Sequence, residues 1–232
     1  MSVAVDQDLG LRIETVLGRV AAAARAAGRS PRDVTVVAVS KTIDRAAVDA
    51  AYALGLRHFG ENRVQEAARK FEPPLPPDAG LHLIGQLQSN KARPAAALFD
   101  LIESVDRPSL IDALEKEAER RGAPIAVLLQ VNVAREPQKA GCAPEEAPAL
   151  MARLIASPWL RPRGLMTMAP LVADAEEVRP VFAGLRELRE ALRWEFPEAE
   201  LATLSMGMSN DYEVAIAEGA TAVRVGRAIF GG

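Results

Sequence analysis

The chain has 232 residues, of which 49 % are hydrophobic and 4 % aromatic, and its mean hydropathy is +0.03. This length and composition suit one large domain with a core built mainly from Ala, Val and Leu. The net charge of −3 lacks the basic footprint of a nucleic-acid binder. The lone Cys142 excludes an internal disulfide, and His58 and His82 are the only histidines, so no zinc site is expected.

The start of the chain predicts no export signal, because it carries Asp6 and Asp8 and no leading basic segment. The apolar stretches fall short of the roughly 18 residues that a membrane span needs. We therefore expect a cytoplasmic protein that contacts neither membrane nor nucleic acid.

Apolar periodicity and turn residues predict alternating helices and strands throughout. In chain order they are a helix at 8–27, strand at 34–40, helix at 44–54, strand at 57–60, helix at 62–71, strand at 81–85, helix at 89–98, strand at 100–105, helix at 108–121, strand at 125–133, helix at 144–156, strand at 163–168, helix at 175–194, strand at 203–206, helix at 209–218 and strand at 221–225.

Eight strands separated by helices predict an α/β protein with a TIM-type (β/α)8 barrel. We expect a single domain over residues 1–232 with an extra N-terminal helix. A doubly wound open sheet is the alternative. The turn after the first strand, Ser40-Lys41-Thr42-Ile43, has no glycine, although a dinucleotide fold would need one there.

Lys41 is the first candidate for chemistry, because it directly follows the apolar run 34–40. A strand end of this kind can hold an amine partly out of water, which favours its neutral, nucleophilic form. Such an amine can form a Schiff base with a carbonyl compound or with pyridoxal phosphate (PLP). The alternative is a lysine that only ends a strand and reaches into solvent.

Alternation along the strands predicts which other side chains share a face with Lys41. Five polar residues are expected near the carboxyl-terminal end of the barrel, where barrel enzymes build their sites. They are Lys41, His82, Asn132, Ser205 and Arg224. His82 can also be a core histidine, and Asn132 can merely cap a strand end. Arg224 is harder to dismiss, because a charge inside a strand is costly unless it is paired or bound.

The loops after the last two strands predict a phosphate site. Residues 205–211 and 226–231 contain glycines and follow strands seven and eight, the usual phosphate position in this fold. Ser209 can instead be an ordinary N-cap. Asp211 and Glu213 would repel a phosphate unless their side chains point away.

A Schiff-base lysine beside a phosphate site indicates PLP or a phosphorylated sugar bound to an aldolase. Arg224 favours PLP, because an arginine beside the pyridine nitrogen would keep that nitrogen unprotonated and weaken the ring as an electron sink.

Short motifs along the chain resemble the YggS/PROSC family, the pyridoxal phosphate homeostasis proteins. The match runs from about residue 10 to the C-terminus in the family's own order. The motifs are AVSKT at 38–42, FGEN at 59–62, HLIG at 82–85, QSNK at 88–91, RGLM at 163–166, SMGMS at 205–209, VRVG at 223–226 and AIFG at 228–231.

The resemblance implies the barrel of the alanine racemase N-terminal domain and a PLP carrier or regulator with no catalytic residues. By resemblance, Lys41 forms the Schiff base. The phosphate would be held by Ser205, Ser209, Gly226 and Arg227, and the ring pocket would be lined by Asn62, His82, Met208 and Arg224. Lys139 resembles a second family lysine associated with PLP handling. Apo forms of PLP-dependent enzymes are possible recipients, and a monomer is expected.

This chain departs from many relatives at two positions. Ile43 stands where many have a lysine, and Arg227 stands where many have Thr. The backbone N–H of residue 227 is then the sure phosphate donor, and its guanidinium can add a charge-assisted bond.

Two enzymatic functions are the alternatives. A racemase of this fold uses a tyrosine opposite the lysine, but Tyr52 and Tyr212 are both predicted on helices. A class I aldolase normally carries its Schiff-base lysine on a later strand. A lone thiol such as Cys142 is expected to be an unreactive loop residue.

Overall fold

The computed structural model describes residues 3–231, with side chains from residue 8 onward. Eight parallel strands close into a barrel, because β1 pairs with β2 on one side and with β8 on the other. Strands β1 to β8 are Thr35–Val39, His58–Glu61, Gly80–Leu83, Leu101–Val105, Ile125–Gln130, Leu160–Met166, Thr203–Met208 and Ala222–Val225. The predicted TIM barrel is therefore confirmed, and the open sheet is excluded.

Helices follow the strands and cover the outside of the barrel. Helices α1 to α9 are Val3–Ala26, Arg45–Ala53, Val64–Lys70, Ala92–Leu98, Pro108–Arg121, Ala147–Ala156, Arg179–Glu195, Tyr212–Ala217 and Arg227–Phe230. Short 3-10 turns lead into α4, α6 and α7, so the predicted helices at 89–98, 144–156 and 175–194 are each a 3-10 turn plus an α-helix.

The strands separate an outer apolar core from an inner face of mixed chemistry. Ala38, Leu129 and Val223 join the large apolar cluster that packs under the helices. Val37 and Leu128, their neighbours in sequence, are also buried but lie outside that cluster. This period of two confirms the predicted alternation and places Arg224 on the inner face with Val37.

Several element boundaries differ from the sequence prediction, and the pairing of β5 and β6 accounts for two of them. β5 ends at Gln130 because Val131 makes only an isolated bridge to Cys142. β6 begins before Arg163 and tolerates Pro162, since the β5–β6 register shifts there. α8 starts only at Tyr212, and the short helix α9 was not predicted.

Helix α1 is the extra N-terminal helix that was predicted, and it packs against α8 and α9. Arg19 donates two hydrogen bonds of 2.8 Å to Glu213 at the start of α8. Arg12 Nε donates to the carbonyl of Ile229 in α9 at 2.8 Å. The first helix thus holds the last two helices in place. Among residues 3–231, no helix is long and apolar enough to cross a membrane.

Strands β6 and β7 approach each other closely at Gly164. Its φ is +147°, and an added Cβ would lie 1.9 Å from the carbonyl oxygen of Thr203. We expect Gly164→Ala to lower the free energy of unfolding by more than about 2 kcal/mol, because strain at such a φ adds to a backbone clash. Urea denaturation measures the loss.

Gly18 provides the matched control, because it is exposed in α1 and an added Cβ would meet nothing within 4 Å. Gly18→Ala should raise the unfolding free energy by about 0.5–1 kcal/mol, since Ala is the better helix former. Similar effects at both positions would contradict this account of the β6–β7 approach.

Candidate functional site at the barrel mouth

Lys41 lies at the carboxyl-terminal mouth of the barrel, two residues beyond the end of β1. The chain reverses there in a turn that Ile43 closes by donating its N–H to the Ser40 carbonyl at 3.0 Å. Lys41 is exposed. The expectation of a partly buried amine is therefore wrong, because the chain leaves the sheet before Lys41 and carries it into solvent.

The loop after β8 lies directly beside the strand that leads to Lys41. A Cβ added to Gly226 would lie 3.3 Å from both Cβ and the carbonyl oxygen of Val39. Arg227 is exposed, and its Nη2 lies 3.4 Å from Asn210 Oδ1 in the loop after β7. The two loops with the phosphate signal are therefore adjacent to each other and to the Lys41 turn.

Two acidic residues close to the loop after β7 are engaged by other groups. Asp211 is buried, and its Oδ1 accepts the Met208 N–H at 2.5 Å. Glu213 faces Arg19 of α1 instead. Burial raises the pKa of Asp211, and the bond from Met208 and the charges of Arg224 and Lys139 oppose that rise.

Gly207 lets this loop turn. Its φ is +93°, and a Cβ there would lie 2.6 Å from Ala215 Cβ and 2.9 Å from Tyr212 Cα. Ser209 is half-buried in the turn that follows, and Asp211, not Ser209, occupies the N-cap position of α8. The alternative of a Ser209 cap is thereby excluded.

Below the mouth, a buried ion pair lies inside the barrel. Arg224 is 4 % exposed and Glu103 is fully buried. The Ser205 hydroxyl connects them: it accepts from Arg224 Nη1 at 2.6 Å and donates to Glu103 Oε2 at 2.5 Å. Arg224 Nη2 also donates to the Thr167 carbonyl at 2.7 Å. The guanidinium is thus held by the hydrogen bonds that it donates to β7 and to the residue that follows β6.

His82 extends this network toward the amino-terminal end of the barrel. Its Nδ1 lies 2.7 Å from Glu103 Oε1, and its Nε2 lies 3.1 Å from His58 Nδ1. The two imidazole rings meet edge to face. His58, His82, Glu103, Ser205 and Arg224 therefore form one continuous polar chain through the barrel.

The charges in this chain stabilise one another. Burial alone raises the pKa of Glu103, but the hydrogen bond and charge of His82, the Arg224 charge and the Ser205 bond together lower it. Burial lowers the pKa of Arg224, against the opposing charges of Glu103 and Asp211. A carboxylate and a guanidinium are thus maintained in a site from which water is largely excluded.

The nine predicted binding residues divide into two levels. Six lie at the mouth, just beyond or at the ends of strands: Lys41, Asn62, Met208, Ser209, Gly226 and Arg227. Three lie in the interior network: His82, Ser205 and Arg224. A direct bond from the Ser205 hydroxyl to a phosphate would require its donated bond to Glu103 to break, because the hydroxyl has one hydrogen, while the bond that it accepts from Arg224 could remain.

Asn132 does not join these residues. Its amide donates to the Glu136 carbonyl at 2.8 Å and accepts the Glu136 N–H at 3.2 Å, so it holds the loop after β5. Lys139 in the same loop pairs with Glu136.

Burial raises the pKa of the Cys142 thiol to about 12, so this thiol is protonated at neutral pH. Nowhere in the described chain do His, Cys, Asp and Glu gather as a metal site.

The sequence prediction missed Glu103, although a signal was present. An acidic residue inside the predicted strand at 100–105 has the same need for a partner as Arg224 in its own strand. It also missed the cluster of Ser40, Glu61 and Lys70 beside the Lys41 turn, because α3 brings Lys70 to the strand ends only in the folded chain.

Comparison with known proteins identifies this kind of barrel. A family model described as the alanine racemase N-terminal domain matches residues 17–232. The pyridoxal phosphate homeostasis protein of Pseudomonas aeruginosa is 47 % identical over 219 residues, which cover 94 % of this chain and 93 % of that protein. Its counterpart from Aquifex aeolicus is 41 % identical over 220 residues, which cover 95 % and 96 %.

A solved structure shows the same barrel with a ligand. PipY of Synechococcus elongatus PCC7942 with PLP bound matches with a TM-score of 0.83 at 40 % identity, over 96 % of this chain and all of that chain. The fold and the matched model thus define the class as the alanine racemase N-terminal domain. Within that class, the chain belongs to the pyridoxal phosphate homeostasis protein family, which confirms the resemblance seen in its motifs.

Removing the Glu103 charge should destabilise the barrel. In Glu103→Gln, the buried Arg224 cation loses its counter-charge, and we expect the free energy of unfolding to fall by about 3–5 kcal/mol. The exposed Glu119→Gln on α5 is the control and should change it by less than about 0.5 kcal/mol. If urea denaturation gave equal losses of unfolding free energy for the two variants, the Glu103–Arg224 pair would not stabilise the barrel.

His58 should make stability depend on pH. Burial and then the charge of His82 lower its pKa from 6.5, against the charges of Asp100 and Glu103. The unfolded chain then binds the proton more strongly, so stability is lost as the pH falls below about 6.5. Between pH 7.5 and 5.5, His58→Gln should lose less unfolding free energy than the natural chain, and an equal loss would contradict this role.

Proposed function

We propose that this protein binds PLP at the barrel mouth as a Schiff base with Lys41 and takes part in intracellular PLP homeostasis without catalytic turnover. The observation that carries the proposal is the contact of Gly226 with Val39, two residues before Lys41, on a strand that pairs with the strand of the buried Arg224. These residues offer PLP an amine for its aldehyde, small loop residues for its phosphate and a fixed cation for its ring. The donor set therefore fits the group that PipY binds.

The exposure of Lys41 supports reversible binding. Its Nζ would attack the aldehyde carbon, and a C=N bond would replace the C=O bond. The aldehyde oxygen would leave as water with the two hydrogens of the neutral amine. Since Lys41 is open to solvent, water and competing amines can reach this bond, and the ligand can be released again. Ready release is what a carrier needs.

Ser209, Gly226 and Arg227 are the residues we propose for the phosphate, together with Ser205, whose hydroxyl would turn from Glu103 to the phosphate. Gly226 lets the backbone approach closely because it has no side chain, and the exposed Arg227 can add a charge-assisted bond. The inward turn of Asp211 and the pairing of Glu213 with Arg19 keep both carboxylates from repelling the anion.

Arg224 favours a protein that binds PLP over an enzyme that uses PLP for catalysis. Its guanidinium stays protonated beside Glu103, so it would donate to the ring nitrogen and leave that nitrogen without a proton. An unprotonated ring is a weaker electron sink, which slows reactions that pass through a carbanion. Asn62, His82 and Met208 would complete the ring pocket, His82 through its bond to Glu103.

The positions of the two tyrosines argue against a two-base racemase. Tyr52 donates to Asp78 at 2.5 Å on the outside of the barrel. The Tyr212 ring packs under Arg19 of α1, with the guanidinium carbon 5.7 Å from the ring centre. Neither contact directs a phenol toward Lys41. We propose that the chain over residues 1–232 works as a monomeric PLP-binding unit in the cytoplasm that supplies apo PLP-dependent enzymes.

Absorbance tests the proposal directly. The protein mixed with PLP should show the visible band of a protonated Schiff base, and Lys41→Ala should lose it, because no other amine replaces Lys41. Lys116→Met, which removes an exposed lysine from α5, is the matched control and should keep the band. Borohydride reduction followed by peptide mapping should place the label on Lys41.

Two further measurements separate a carrier from an enzyme. PLP-loaded protein should restore activity to an apo PLP-dependent enzyme, while incubation with an L-amino acid should yield no D-isomer at ordinary enzyme rates. Turnover of that amino acid would overturn the non-catalytic part. A label on another lysine would overturn the assignment of Lys41.

A further inference from the structure

The turn that carries Lys41 has a backbone conformation that its sequence disfavours. Thr42 has φ of +65°, in the left-handed region that glycine prefers. A β-branched residue is rarely found there, so the turn needs support from its surroundings. That residue is adjacent to Lys41, at the point where the amine must be presented.

Ser40, on the other side of Lys41, is held by several hydrogen bonds at once. Its N–H donates to the Gly60 carbonyl at 3.0 Å, as part of the barrel ladder. Its hydroxyl donates to Glu61 Oε1 at 2.6 Å. Its carbonyl accepts both the Ile43 N–H at 3.0 Å and the Lys70 ammonium at 2.6 Å.

Lys70 and Glu61 close this arrangement into a triangle. Lys70 Nζ also donates to Glu61 Oε1 at 2.7 Å, and Glu61 is fully buried while the Lys70 side chain is only 12 % exposed. Glu61 belongs to β2 and Lys70 to the last turn of α3. The triangle thus ties the Lys41 turn to a neighbouring strand and to a helix.

We propose that Ser40, Glu61 and Lys70 are positioning residues that hold the strained Ser40–Ile43 turn and so present the Lys41 amine to its ligand. The part of this proposal that concerns PLP rests on the proposed function. None of the three touches the ligand in this scheme. Their effect passes through the Ser40 carbonyl, which must stay in place to receive the Ile43 N–H.

A purely structural role would have a different signature. A buried ion pair that only stabilises the fold would change global unfolding and leave the local opening of the turn unaltered. A positioning role must increase the hydrogen exchange of the Ile43 amide, because that N–H loses its fixed acceptor. Ile43 exchange is measured without PLP, so it does not depend on the proposed function.

The experiment compares Ser40→Ala, Glu61→Gln and Lys70→Met with the control Lys116→Met. Measured by NMR, the hydrogen exchange rate of the Ile43 amide should rise about tenfold in the first three variants, because that factor corresponds to the net free energy of one hydrogen bond. The rate should stay unchanged in the control. The rate of Schiff-base formation with PLP should fall about 10- to 100-fold in the same variants. The double variant that combines Ser40→Ala and Glu61→Gln should change the free energy of Ile43 amide opening by less than the sum of the two single changes, because both substitutions remove the same hydrogen bond.

Thr42→Gly provides a rescue, because glycine adopts the positive φ without strain. In that background, Glu61→Gln should raise Ile43 exchange and slow Schiff-base formation less than it does alone. If the natural chain does not bind PLP, the proposed function is rejected. The exchange rate of the Ile43 amide would still decide whether the triangle holds the turn. Unchanged Ile43 exchange in Ser40→Ala, the mildest variant, or no rescue by Thr42→Gly would overturn the proposal.

Discussion

The ion pair between Glu103 and Arg224 is the constraint around which the barrel interior is organised. Both groups are buried, and the Ser205 hydroxyl joins them. An isolated charge of either sign would be very costly there, so each group requires the other. Because Glu103 is on β4, Ser205 on β7 and Arg224 on β8, the pair also joins distant parts of the sheet across the lumen. Closure of the barrel is what makes this pairing possible.

The ion pair fixes the position of Arg224 beneath the barrel mouth, and the Ser40–Ile43 turn fixes the position of Lys41 at the rim of the mouth. A fixed, buried arginine and an exposed lysine are different requirements, and the chain meets them with two separate supports. One is the interior network from His58 to Arg224. The other is the triangle of Ser40, Glu61 and Lys70 outside the barrel wall. Together they fit the proposed function, in which the ring of PLP would lie against Arg224 and its aldehyde would react reversibly with Lys41.

Much of the fold could be predicted because its signals are local. The helix at 108–121 was predicted with its observed bounds, since Pro108 begins it and Gly122, with φ of +65°, ends it. The alternation that placed Arg224 inside also held. Errors arose where tertiary contacts override local preference, as at Pro162, which a strand tolerates only because the β5–β6 register shifts beside it. The start of α8 was misplaced for a local reason, because Asp211 closes a turn with Met208 before the helix begins.

The sequence alone determined the order of the elements, the inward face of Arg224 and the family, because these follow from periodicity, from the cost of a buried charge and from motifs. Only the tertiary structure decided the partners. It joined Arg224 to Glu103, drew Asn132 into its own loop, exposed Lys41 and brought Lys70 to the Ser40 carbonyl. The physical reason is that hydrogen bonds and ion pairs act over a few ångströms, so residues far apart in the chain interact only after the barrel has closed.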